Sequence, residues 1–227
     1  MVQSAFDREI KLLSELDHEN ILKFMGRCFE PASSPDQEPY FSLITEYASN
    51  GSLDYCLHKN PSIKFSFNRK LNILQEIAKG MDYLHQLNPP VIHLDLKPEN
   101  ILLDASYQVK ISDFGLAKIL SLNSLRVDPE NVVGTPLYMS PELIKDVKGE
   151  PTVKCDVYSY GVLANELFVE KKPFEKFYEV DAGQSKNLRF EDLKRIVSSG
   201  EIPGKNRPLV VVHPPRLQEL ICDCWAE

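Results

Sequence analysis

The chain has 227 residues, enough to bury a sizeable core as one domain or as two lobes around a cleft. Hydrophobic residues make up 43% and charged residues 26%, an ordinary globular balance that excludes wholesale disorder. The formal net charge of −7 gives no electrostatic footprint for nucleic acid or an anionic membrane.

No apolar run approaches the roughly 20 residues needed to span a bilayer, and the opening MVQSAFDREI does not read as a signal peptide. The five cysteines (Cys28, Cys56, Cys155, Cys222 and Cys224) are scattered and odd in number, without a second close pair to complete a zinc site. Reduced thiols in a cytoplasmic protein are the expectation.

In chain order, Phe6, Ile10, Leu13 and Leu16 recur at helical spacing and predict an amphipathic helix ending near Asp17-His18. Ile21 to Phe29 and Tyr40 to Tyr47 read as strands, separated by the polar, proline-rich insert Glu30 to Pro39, a surface loop. A turn follows at Ser49-Asn50-Gly51. Phe67, Leu71, Leu74, Ala78, Met81 and Leu84 predict a long helix in which Gly80 is tolerated, stopped by Pro89-Pro90.

The stretch VIHLDLKPENILLDASYQVKISDFG, Val91 to Gly115, concentrates the chemistry. Pro98 biases Lys97 towards extended geometry, so the polar run His93 to Asn100 reads as a loop. Ile101 to Leu103 and Val109 to Ile111 read as a hairpin with Asp104 to Gln108 as its turn, delivering Asp113-Phe114-Gly115 back beside that loop. Asp95, Lys97, Asn100 and Asp113 would then gather at one end of a small sheet. Phosphoryl transfer needs such a set: an aspartate to accept a hydroxyl proton, a cation for the transferred phosphate, and an amide and a carboxylate to hold Mg²⁺. Any one of them alone reads as a solvated loop residue; the combination does not.

From Leu116 to Met139 the chain lacks strong periodicity, and Ser140-Pro141-Glu142 closes this segment. A long irregular stretch within a compact domain points to a functional loop. VKCDVYSYGVLANELF, Val153 to Phe168, is apolar on nearly every face and predicts a helix buried all round, with Asp156 needing a partner. A polar loop over Asp181 to Asn187, a helix from Phe190 to Ser198 and a last helix from Arg216 to Trp225 complete the chain.

The pattern H-x-D-x-K-x-x-N, followed after a strand pair by D-F-G, resembles the core of eukaryotic protein kinases. Lys97-Pro98-Glu99-Asn100 is the serine/threonine form, and HLDLKPENILLDASYQVKISDFGLAK is especially similar to the receptor-interacting (RIP) kinases of the tyrosine-kinase-like group. The resemblance implies an α+β, kinase-like fold. Residues 1–48 would be a partial N-lobe (the C-helix and two strands) with the hinge. Residues 49–227 would be a mostly helical C-lobe, with the catalytic loop at 93–100 and the activation segment at 113–142.

The resemblance also implies roles. Asp95 orients and deprotonates the substrate hydroxyl, Lys97 neutralises the γ-phosphate of ATP, Asn100 and Asp113 bind Mg²⁺, and Gly115 lets the metal loop bend. Thr135, in Gly134-Thr135-Pro136, bonds to the catalytic aspartate and lysine. FDREIKLLSELDHENIL matches the C-helix, so Glu9 would pair with the ATP-positioning lysine and Leu13 would join His93 and Phe114 in a hydrophobic stack. Thr45 would be the gatekeeper, with backbone groups of Glu46 and Ala48 binding adenine. Asp156 would bond the backbone of the catalytic loop.

Leu94 stands where kinases usually carry an arginine, so a phosphorylated activation loop would lack its bidentate anchor. Ser121 and Ser124 are then expected to be dispensable for basal activity. The chain holds no G-x-G-x-x-G and no V-A-I-K equivalent; by resemblance, both precede residue 1. The arginine expected to pair with Glu142, and a final helix, would follow Glu227.

The expected function is transfer of the ATP γ-phosphate to serine or threonine hydroxyls of protein substrates, in signal transduction and with Mg²⁺. Signalling adaptors would act through regions outside this chain. The alternative is a truncated, non-catalytic kinase serving as a scaffold. A small-molecule or lipid kinase is a weaker third reading, because the docking segment speaks for proteins.

Overall fold

The computed structural model describes residues 10–30, 40–119, 136–145, 150–173 and 214–225. Glu9, Ser121, Ser124, Thr135, the 31–39 insert and the expected elements at 181–198 lie outside the described residues.

Residues 10–15 are helical (α1) and bury Ile10, Leu12 and Leu13. The next two elements are strands β1, Phe24–Glu30, and β2, Tyr40–Thr45, paired antiparallel from Phe24 opposite Thr45 to Glu30 opposite Tyr40. Both are shorter than their apolar runs suggest. Ile21 makes an isolated parallel bridge to Ile111 instead of extending β1, and β2 stops at Thr45. The reason is competition for backbone partners: Leu22 N–H donates to Ile111 O (2.9 Å) and Ile111 N–H to Asn20 O (2.8 Å).

A short π-helical turn, Tyr55–Lys59, leads to α2, Phe67–Gln86, whose N-terminal amide at Arg69 is capped by Ser66 Oγ. The α2 face is rotated from the expected one. Lys70, Ile73, Leu74, Ile77, Gly80, Met81 and Leu84 are buried, while Phe67 is exposed. Gly80 explains the phase: a Cβ there would lie 2.7 Å from Ile111 Cδ1, so the helix turns its one side-chain-free position to the sheet.

The hairpin forms as expected, β4 (Ile101–Leu103) against β5 (Val109–Ile111), in register from Ile101 opposite Ile111 to Leu103 opposite Val109. Asp104 holds the turn, its Oδ1 accepting from the Ser106 and Gln108 amides. Segments 20–22 and 50–52 stitch to the two sides of the hairpin, so the chain crosses it on both edges.

Four short elements in the site region are not legible in the sequence. Strand β3, Val91–Ile92, pairs with β6, Lys118–Ile119, where the sequence suggests only irregular chain. Beyond it lie a tight turn at Pro136–Tyr138 and the short helix α3, Pro141–Lys145.

Helix α4, Val153–Val169, is buried over most of its surface, as its composition requires. It packs on α2 and on the last helix, α5 (Pro215–Asp223), which ends before Cys224-Trp225. One continuous apolar core joins α1, α2, the β4–β5 hairpin, α4 and α5.

Candidate functional site

The loop 93–100 is fixed from beneath. Asp156, in the first turn of α4, is 1% exposed and accepts three hydrogen bonds: from His93 N–H (2.9 Å), from Leu94 N–H (2.8 Å) and from His85 Nε2 (2.8 Å). These bonds hold Leu94 at φ 66°, a left-handed conformation that a leucine rarely adopts unaided. The expected contact between Asp156 and the loop backbone is therefore present, with His85 as a partner the sequence did not single out.

His93 is wholly buried and links the two halves of the site. Its Nδ1 accepts from the Asp95 amide (3.2 Å), so Nε2 carries the proton and donates to Ser112 O (3.0 Å). Its ring lies 5.1 Å from that of Phe114, and both belong with Leu13 to the buried interior. Ser112 returns two bonds to the loop, N–H (2.9 Å) and Oγ (3.0 Å), both donated to Asn100 O.

The loop's side chains converge on one carboxylate. Lys97 Nζ donates to Asp95 Oδ1 (2.9 Å) and Oδ2 (2.7 Å), and both side chains are only 14% exposed. Asn100 Nδ2 donates to Asp95 O and Oδ2, each at 2.8 Å. Among the described residues, Oδ2 thus has two donors and Oδ1 one, which leaves Oδ1 the freer acceptor of the two.

Asp113 sits one residue from Ser112 at φ 64°, is exposed, and among the described residues accepts only a long bond from Gly115 N–H (3.3 Å). A Cβ at Gly115 would press on that oxygen at 3.3 Å. With its nitrogen committed to Asp95, Asn100 has an amide oxygen without a partner among the described residues. That oxygen and the Asp113 carboxylate are hard donors of the kind a small divalent cation takes.

The three remaining described candidates form the strand exit. Thr45 ends β2, its Oγ1 donating to Glu46 O (3.2 Å). The Glu46 side chain turns back on the fold, accepting from Lys23 N–H (2.8 Å) and pairing with Lys110 Nζ (3.2 Å). Its amide donates to Lys23 O (2.9 Å), and Ala48 O accepts from Gly51 N–H (3.1 Å). The Glu46 side chain is thereby committed to the fold, which leaves its backbone as the part that could face a ligand. Glu9 and Thr135 lie outside the described residues, so the structure brings together Asp95, Lys97 and Asn100, ties Asp113 to them through Ser112, and is silent on those two.

Sequence reasoning also passed over a second polar cluster beneath the loop, around Glu166. The available signal was a second carboxylate, besides Asp156, inside a helix otherwise almost devoid of charge.

Comparison with known proteins supplies the context. The family model for the protein kinase domain matches residues 1–227. The serine/threonine-protein kinase CTR1 of Arabidopsis thaliana is 40% identical over 75% of this chain and 20% of its own length. Receptor-interacting serine/threonine-protein kinase 2 of Bos taurus is 36% identical over 97% of this chain and 39% of its own. The probable serine/threonine-protein kinase SIS8 of Arabidopsis thaliana is likewise 36% identical over 97%, and 19% of its own. The chain therefore spans well under half the length of these relatives. Among the described residues, no helix is long and apolar enough to cross a membrane. With the family model matched over residues 1–227 and a relative 36% identical over 97% of the chain, this chain belongs to the protein kinase domain family.

Proposed function

We propose that the protein containing this chain is a serine/threonine protein kinase, transferring the γ-phosphate of ATP to hydroxyls of protein substrates. The observation that carries the reading is the Asp95 carboxylate, gripped by Lys97 and Asn100 within one loop that Ser112 ties to Asp113. In this reading, Asp95 Oδ1, which has one donor among the described residues, accepts the proton of the substrate hydroxyl. Lys97 stays within reach of both that oxygen and the phosphoryl group in transit, and it screens the negative charge between them. Asn100 Oδ1 and the Asp113 carboxylate would hold Mg²⁺, which when bound neutralises charge on the phosphates.

The remaining assignments belong to the same proposal. Thr45 borders the adenine site as gatekeeper, the backbone of Glu46 and Ala48 binds adenine, Glu9 pairs with the ATP lysine, and Thr135 bonds to Asp95 and Lys97. Residues 1–48 act as part of an N-lobe with the hinge and 49–227 as the C-lobe. A cytoplasmic signalling kinase whose adaptors bind elsewhere fits the resemblance to RIP kinases.

The test is phosphotransfer from radiolabelled ATP to a generic protein substrate by the product of the complete reading frame. Asp95→Asn keeps the size of the side chain and should cut kcat about 100-fold or more, with the melting temperature within a few degrees of the unaltered protein. Activity surviving in Asp95→Asn overturns the assignment. An inactive parent that still binds partners would favour the scaffold reading.

A further inference from the structure

Below the loop, a single ammonium group is shared by three carboxylates from three parts of the chain. Lys172 lies two residues beyond Glu170, the left-handed residue that ends α4. Its Nζ is 2.5 Å from Asp54 Oδ1, 3.1 Å from Glu99 Oε1 and 3.5 Å from Glu166 Oε1. Asp54 and Glu166 are 3% and 0% exposed at their side chains, so the charges face each other with little water between.

The cluster has further members. Lys59 pairs with Asp54 Oδ2 (2.9 Å), His58 Nε2 bonds Glu166 Oε1 (2.8 Å), and the Tyr138 hydroxyl donates to Glu166 Oε2. The donor atoms of Asp54, His58 and Glu166 lie within 4.8 Å of one another, a spacing that would suit a metal ion. The chain instead supplies the cation itself, in Lys172.

Glu99 is the member that matters for catalysis. It sits between Lys97 and Asn100, in the turn Pro98–Asn100, and its Oε2 is buried without a hydrogen-bond partner among the described residues. Among the described residues, Lys172 is the only cation paired with its carboxylate. On the far side, the Tyr138 hydroxyl rests on Glu166 and Ser159 Oγ donates to Tyr138 O (2.7 Å), which fixes the turn Pro136–Tyr138 to α4. One ammonium thus bridges the catalytic loop to the carboxylate that seats the turn next to Thr135. None of these bonds reaches Asp113 or the backbone of Glu46 and Ala48.

We propose that Lys172 is a positioning residue: acting through Glu99, it fixes the loop carrying Asp95 relative to the Pro136–Tyr138 turn, and so sets turnover of the protein substrate without setting affinity for nucleotide. The proposal rests on the kinase reading above. Without Lys172, Glu99 loses its counter-ion while Glu166 keeps His58 and Tyr138, so the loop and the turn lose their common tie.

Steady-state kinetics on the complete protein test it. Lys172→Met should lower kcat/KM for a peptide substrate about tenfold or more, with KM for ATP within about twofold. Lys172→Arg should recover most of the loss. Glu99→Gln should reproduce the loss, and the double variant should be no worse than Lys172→Met by more than about twofold, as for two residues acting as one unit. The proposal falls if Lys172→Met is fully active, if KM for ATP rises in parallel, or if the two substitutions add in full. Should Lys172→Met fail to fold, Glu99→Gln, whose side chain is 39% exposed, decides alone. An unaltered protein with no phosphotransfer would sink the kinase reading itself; an active one indifferent to Lys172 and Glu99 sinks only this proposal.

Discussion

The Asp156 carboxylate gives up nearly all of its hydration and regains it as three hydrogen bonds, two of them from consecutive backbone amides. Replacing it with alanine would leave the His93 and Leu94 amides buried without acceptors. The expected cost is about 3–5 kcal/mol, the range for breaking a buried charged network. A urea titration should show a lower midpoint at an unchanged slope. Asp156→Asn keeps one acceptor oxygen and should lose less stability, yet both variants should lose phosphotransfer once Leu94 relaxes from φ 66°. The sequence exposed Asp156 because a carboxylate inside an apolar helix demands a partner. It did not expose His85, which lies 71 residues away in the chain, nor Glu166 with its partners His58, Tyr138 and Lys172. Such pairs are made by the packing of helices, and no local pattern encodes them.

Periodicity located the helices but not their rotation. Helix α2 is amphipathic, but its apolar side takes in Leu71 and Ala78 as well as Ile73 and Ile77, and the close approach of Gly80 to Ile111 decides which edge of that side is buried. The β3–β6 pair escaped for another reason. Two residues on each side are too few to show a period, and the pairing joins Val91 to Ile119 across the whole hairpin. The hairpin itself was legible because its turn chemistry is local.

Close approach also governs the contact between α4 and the end of α5. A Cβ at Gly161 would lie 2.7 Å from both Cys224 Cβ and Trp225 Nε1. In an isolated helix, Gly161→Ala would gain roughly 1 kcal/mol of helix propensity. Here overpacking should outweigh that gain and leave a net loss of about 1–2 kcal/mol. Thermal melting should show the drop, and a stabilised Gly161→Ala would mean that α5 does not seat on α4 as described.

Over the whole molecule, titratable groups buried between elements bound the range of pH in which the fold holds. Burial alone would raise the Asp54 carboxyl, but hydrogen bonds from Lys172 and Lys59 prevail and hold it below its ordinary value. The Lys70 hydrogen bond does the same for Glu170 against a smaller opposing effect of burial. A depressed folded-state carboxyl contributes stability that is present above its unfolded value, roughly pH 4, and is lost as pH falls through the folded one. On the alkaline side, burial raises the thiols of Cys56, Cys155 and Cys224 and the phenols of Tyr138 and Tyr160, with Glu166 adding to the rise at Tyr138.

These raised groups stabilise the fold below their unfolded values, and that contribution drains away as pH climbs past roughly 9 for the thiols and 10 for the phenols. Melting temperature against pH should therefore be flat between about pH 5 and 8 and fall on both sides. The two limbs separate by mutation. Asp54→Asn should shrink the acid limb to the share that Glu170 contributes, and should soften the alkaline limb only slightly, through the part of the Tyr138 rise that the Asp54 charge supplies. Tyr160→Phe should leave the acid limb alone and reduce the alkaline one to what the three thiols and Tyr138 contribute, at the loss of the hydrogen bond its hydroxyl donates to Leu74 O (3.2 Å). An acid limb unchanged in Asp54→Asn would mean that the Lys172 cluster is solvated in solution, and would remove the tie between the catalytic loop and the Pro136–Tyr138 turn.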